Sequence, residues 1–156
     1  MRGCLAFYEV LKGAALSNEQ QNVEILKEAY RQWHESRGQS VDHFLSVCDQ
    51  NISFGSLPRG AAPMQFAAQY DNREVLRGYF KDLLDQWSMN FYEVMQYIAQ
   101  GDMVVMQGVC SWTHKVTGKT CETPKVDIWR FRDGKAIEFY ELFDTAAAFA
   151  AATPDQ

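Results

Sequence analysis

TGKTCETPKVDIWRFRDGKAIEFYELFD, residues 117–144, decides the fold, together with QGDMVVMQGVCSW at 100–112 just before it. In both stretches apolar and polar residues alternate with a period of two, the signature of strands with one buried face. Gln100-Gly101-Asp102, Thr117-Gly118 and Asp133-Gly134 punctuate the alternation. Each supplies a glycine where a hairpin needs positive φ. The pattern predicts four antiparallel strands at about 89–100, 103–116, 119–132 and 135–143.

Upstream the period lengthens to three or four. Ser17 or Asn18 can cap a helix that carries Val23, Leu26, Tyr30 and Trp33 on one face and stops at Arg37-Gly38. Ser40 caps a short second helix with the stripe Val41, Phe44, Leu45 and Cys48. Asn51 to Leu57 alternates and reads as a short strand. Residues 55–72 hold Gly55, Pro58, Gly60 and Pro63, a loop of the length that is often functional. Asn72 caps a third helix with Val75, Leu76, Tyr79, Phe80, Leu83, Leu84 and Trp87 on its buried side. Helices first and a meander afterwards predict an α+β fold, with three N-terminal helices packed on one face of a curved antiparallel sheet. The expected division is an N-terminal extension at 1–18, a domain at 19–146 and an Ala-rich tail at 147–156 that forms a turn or two and frays.

The 156 residues are enough for one domain, and 47% apolar with 13% aromatic residues supply its core. Fifteen Lys and Arg against 20 Asp and Glu give a net charge of −5, the wrong sign for a non-specific nucleic-acid binder. No apolar run reaches the ~20 residues that span a bilayer. Glu9 and Lys12 break the apolar patch near the N-terminus, which argues against a signal peptide. Cys4, Cys48, Cys110 and Cys121 stand far apart without a CxxC and read as reduced thiols of a cytoplasmic protein. Cys110, His114 and Cys121 lack a fourth partner at metal-ligand spacing, so no metal site is expected. Lys115, Lys119 and Lys125 read as a solvated face.

The element order and the 100–144 motifs resemble the nuclear-transport-factor-2-like superfamily, and within it the SnoaL-like and ketosteroid-isomerase-like branch. The shared features are the Gly-Lys turn, the Val-Asp-Ile-Trp-Arg-Phe strand, the Asp-Gly-Lys turn and the Glu-x-x-x-x-x-Asp ending from Glu138 to Asp144, within a match over 20–146. The resemblance implies a cone-shaped cavity between sheet and helices, no metal or organic cofactor, and a homodimer. It specifies the fold more than the reaction, because this fold hosts many functions.

In the isomerases a Tyr on the first helix and an Asp in the third meander strand form an oxyanion hole, the Asp being kept neutral by its apolar site. By resemblance these are Tyr30 and Asp127. The isomerase's base falls near Gly55 or Ser56, and no carboxylate lies between Gln50 and Gln69. Polyketide cyclases of the branch place an acid/base residue in the last strand, which corresponds to Glu141. The Arg and Asp of the related limonene epoxide hydrolases correspond to Gly108 and Cys110, so that chemistry is not expected.

Strand parity bears on this site. A two-residue loop at Asp133-Gly134 pairs Arg132 with Lys135 and sets Tyr140 opposite Asp127. A three-residue loop pairs Phe131 with Lys135, sets Phe139 opposite Asp127 and brings Glu141 to the same face; it buries more apolar residues and is preferred. Met106, Gly108, Cys110 and Trp112 then share the cavity face, with Gly108 leaving room for ligand. Val105, Val109, Val126 and Ile128 fall on the outer face, which predicts a homodimer through it.

The expected function is cofactor-free acid/base chemistry of isomerase, cyclase or dehydratase type on a small apolar carbonyl compound. Glu141 serves as general acid/base, Tyr30 and Asp127 hold the oxyanion, and Trp33, Cys110, Trp112, Trp129 and Phe139 bind substrate. The alternative is a hydrophobic small-molecule binding protein of the same fold.

Overall fold

The computed structural model describes residues 15–156. Expectations for residues 1–14 lie outside the described residues. Helix α1 (Asn18–Glu35) starts at Ser17, whose hydroxyl accepts from Gln20 N while the Gln20 side chain accepts from Ser17 N. This reciprocal pair satisfies two of the donors left free at a helix start. Arg37 and Gly38 take positive φ, and Gly38 N returns to Trp33 O, which ends the helix. The face that packs inward carries Leu26, Ala29, Tyr30 and Trp33.

The short helix α2 (Val41–Val47) runs directly into strand β1 (Cys48–Ser56). Cys48, expected on the helical stripe, therefore opens the strand. Helix α3 (Arg73–Gln86), capped by Asn72, leads without a loop into β2 (Trp87–Gln100). The meander continues through β3 (Met103–His114), β4 (Thr120–Arg132) and β5 (Lys135–Phe143). A fourth helix, α4 (Thr145–Ala152), is capped by Asp144 and buries Ala148, Ala151 and Ala152. The Thr117 hydroxyl donates to Ala151 O at 2.6 Å, and Asp144 N donates to the Thr123 hydroxyl at 2.7 Å, tying this helix to the β3–β4 hairpin and β4.

The five strands lie in the order β1-β5-β4-β3-β2 in one open sheet. The meander pairs are antiparallel, as the turns require, while β1 joins the edge of β5 in parallel. The β4–β5 register differs from the expected one. Arg132 pairs with Lys135 across a two-residue turn, and a bulge at Ile137 then shifts the ladder so that Asp127 faces Glu141 directly. The bulge keeps Phe139 and Glu141 on the inner face, the outcome for which a three-residue loop was preferred, but by a different device. Phe139 pairs with Trp129 rather than with Asp127.

Gly108 has a different reason from the one expected. A Cβ there would overlap the carbonyl oxygen of Glu93, so the glycine permits close approach of the β2 backbone rather than space for a ligand. No helix among the described residues is long and apolar enough to cross a membrane.

Candidate active site

Alternate residues of β4 point inward, so Cys121, Thr123, Lys125, Asp127 and Trp129 form a single file along the inner face. The α1 face, the Phe54 end of β1, the Met64–Ala67 turn and α3 close over this file. Between them lies a cavity of about 100 Å³. Its walls are mainly aromatic, among them Trp33, Phe44, Phe54, Phe80, Trp112 and Phe139. All eight residues expected at the site line it: Tyr30, Trp33, Cys110, Trp112, Asp127, Trp129, Phe139 and Glu141. Trp112 and Phe143 remain partly buried.

The polar part of the cavity is one cluster. Asp127 and Glu141 face each other across β4 and β5, and the Lys125 ammonium lies against both. Lys125 was expected on a solvated face and is instead 5% exposed. Its parity with Asp127 and Trp129 was the available signal; a lysine flanked by Pro124 and Val126 reads as surface unless its strand neighbours are weighed.

Each carboxylate collects donors from several elements. Tyr30 on α1 donates to Asp127 Oδ2 at 2.5 Å and accepts from Trp129 Nε1 at 2.9 Å. Tyr92 on β2 donates to the same Oδ2 at 2.8 Å. Glu141 Oε1 accepts from Ser56 of β1 and from Tyr79 of α3, the latter at 2.8 Å, and Oε2 accepts from Lys125. Asp127 Oδ1 is the exception. It is itself buried, and among the described residues its one polar contact is the ion pair with Lys125 Nζ at 2.8 Å.

Ser56, near which the isomerase base was expected to fall, pairs in parallel register with Glu141 and donates to its Oε1. Tyr79, Tyr92 and Ser56 were not singled out from the sequence as site residues. Tyr79 lay on the expected apolar stripe of α3, where nothing local distinguishes a core tyrosine from one that bonds a carboxylate.

Burial pushes the Asp127 carboxyl above its ordinary value, opposed by the Lys125 charge and the Tyr30 hydroxyl and assisted by the Glu141 charge. Burial, reinforced by the neighbouring carboxylates, pushes the phenols of Tyr30, Tyr79 and Tyr92 well up, so they act as donors. Burial pulls Lys125 down, but Asp127 and Glu141 outweigh it and the net shift is upward, which keeps the ammonium charged. Burial also raises the Cys110 thiol to about 12, so Cys110 is a wall residue and not a nucleophile. The arrangement can accept a proton at Asp127 and offer positive charge beside it, within mainly aromatic walls.

No curated protein matches the chain in sequence. Solved structures do match in fold. An NTF2-like protein of unknown function from Burkholderia pseudomallei has a TM-score of 0.76 at 21% identity, covering 85% of this chain and 98% of its own. TerC, co-crystallised with polyporic acid, gives 0.73 at 22% identity over 85% of this chain and 98% of its own. A SnoaL-like polyketide cyclase candidate from Jannaschia gives 0.73 at 17% identity over 92% and 100%. The SnoaL-like domain model matches residues 27–139, which include α1 from its middle, most of the cavity walls and the Lys125–Asp127 segment, but not Glu141. With the NTF2-like fold and a family match over most of its length, the chain belongs to the SnoaL-like domain family.

Proposed function

We propose that the protein is a cofactor-free acid/base enzyme acting on a small apolar carbonyl compound held in the aromatic cavity. The observation that carries this reading is Asp127: a carboxylate 2% exposed on the wall of an apolar cavity, with one oxygen paired only to Lys125. A buried carboxylate binds a proton more tightly than one in water, which makes it a stronger base. Asp127 Oδ1 takes a proton from the carbon next to the carbonyl, and the bonding pair becomes the enolate. The proton returns to another carbon in an isomerisation, or to a leaving hydroxyl in a dehydration. An enolate that attacks a second carbonyl gives an aldol-type cyclisation.

The partner pattern moves the base from Glu141, the residue expected from the resemblance, to Asp127. Both Glu141 oxygens are already engaged. Tyr30 and Tyr92 then position Asp127 and steady its charge. TerC, co-crystallised with polyporic acid, and the polyketide-cyclase candidate from Jannaschia share this fold, which supports a small organic ligand in the cavity.

The test is proton exchange. Small cyclic ketones, such as 1-indanone and 2-tetralone, are incubated with the protein in D2O and followed by NMR. Enzyme-dependent exchange at the carbon next to the carbonyl, lost in Asp127→Asn, is expected. Exchange no faster than in buffer across the panel would overturn the reading. A non-catalytic binding protein is the second reading, favoured by the Tyr, Ser and Lys donors that the carboxylates already hold; saturable binding without exchange would select it.

The outer sheet face supports a homodimer. Val105, Val109, Val126 and Ile128 all remain partly exposed there, and Ile98 beside Val105 is 55% exposed. The free, buried thiols of Cys48, Cys110 and Cys121 fit a reducing, cytoplasmic setting.

A further inference from the structure

Lys125 is a buried cation between two buried carboxylates. An ammonium carries three N–H donors. Among the described residues the ammonium meets Glu141 Oε2 and, at 2.8 Å, Asp127 Oδ1. Lys125 nonetheless lines the cavity. Side by side stand a carboxylate oxygen whose one polar partner is Lys125 and an ammonium with a third N–H left after its two carboxylates. A carbonyl compound has the complementary pair, an acceptor oxygen and an acidic hydrogen on the adjacent carbon.

We infer that Lys125 is a catalytic residue that donates an N–H to the substrate's carbonyl oxygen and holds the enolate oxygen formed when Asp127 removes the proton. The inference rests on the acid/base reading above and adds the electrophilic half of the site. The atoms balance within the cluster. The C–H proton moves to Asp127, the electron pair moves to the carbonyl oxygen, and Lys125 keeps its proton throughout. The cluster plus ligand keeps the same net charge, so no uncompensated charge appears in the aromatic cavity. Glu141, held by Ser56 and Tyr79, anchors Lys125 in place. Tyr30 and Tyr92 direct their hydroxyls to Asp127, which leaves the ammonium as the donor for the ligand.

A phenol reproduces this step in equilibrium form, because it can pass its proton to Asp127 and remain as a phenolate beside Lys125. The experiment titrates 4-nitrophenol into the native protein at a pH below the probe's own pKa and reads its absorption. Bound probe with the phenolate spectrum is expected. In Lys125→Met/Glu141→Gln one cation and one anion leave together, so the cluster keeps the native net charge. There the phenolate signal should fall at least tenfold.

Absence of phenolate in the native protein would refute the acid/base reading itself. Phenolate bound equally by the native protein and the double variant would refute the role of Lys125 and leave that reading standing. Should the double variant not fold, the side-chain ammonium resonance of Lys125 in 15N-lysine-labelled native protein decides. It should shift on adding 4-nitrophenol, and an unmoved resonance at saturation would overturn the inference.

Discussion

Replacing Lys125 by methionine removes the ammonium that lies between two buried carboxylates. Lys125 is 5% exposed, Asp127 2% and Glu141 5%, so water cannot take its place cheaply. Removing one partner of a buried ion pair costs about 3–5 kcal/mol, because the surviving charge stays desolvated. For a chain of this length each kcal/mol lowers the melting temperature by about 2–4 °C, so a loss of roughly 6–20 °C is expected near pH 8. The pH dependence has a definite sign. The folded Asp127 carboxyl lies above its ordinary value because of burial, and the Lys125 charge opposes that shift. Without Lys125 the carboxyl rises further. A carboxyl raised in the folded state favours folding fully below its unfolded pKa, and the contribution is lost as pH rises through the folded pKa. Lys125→Met should therefore be most destabilised at pH 8 and regain part of the loss near pH 5. Thermal unfolding followed by circular dichroism at both pH values reads the effect. A variant within about 1 kcal/mol of the native protein at pH 8, far below the cost of a lone buried charge, would refute the reasoning. So would a larger loss at pH 5 than at pH 8.

Gly108→Ala places a methyl group against the Glu93 carbonyl of β2, where backbone has to give way. A loss of about 1–3 kcal/mol in denaturant unfolding is expected, and an unchanged midpoint would remove close backbone approach as the reason for the glycine. Light scattering should give twice the 17.9 kDa chain mass, and Val105→Glu/Ile128→Lys should give the single mass; a native monomer at micromolar concentration would exclude the outer-face dimer. Burial pushes both the Cys48 and Cys110 thiols up to about 12, so neither should alkylate in the folded protein at pH 8, as read by peptide mass spectrometry. Rapid labelling of Cys110 would mean that the cavity opens freely to solvent.

The local periods established much of the molecule. The three glycine turns, the two-residue alternation from Met89 to Phe143, and the stripes through Tyr30 and Tyr79 followed from the chain alone. So did the inward face of Asp127 and Glu141, because side chains alternate strictly along a strand. What local pattern does not contain is which distant residues meet. The Ile137 bulge, not the turn, brings Glu141 opposite Asp127. The parallel docking of β1 on β5 carries Ser56 to Glu141, and α3 carries Tyr79 to the same carboxylate. Lys125 shows the difference most directly. In sequence it is one charge among several on a strand. In the folded protein two carboxylates, themselves held by donors from four other elements, make a buried ammonium stable there. Burial of a charge depends on partners that only tertiary packing supplies, and the chemistry of the site follows from those partners.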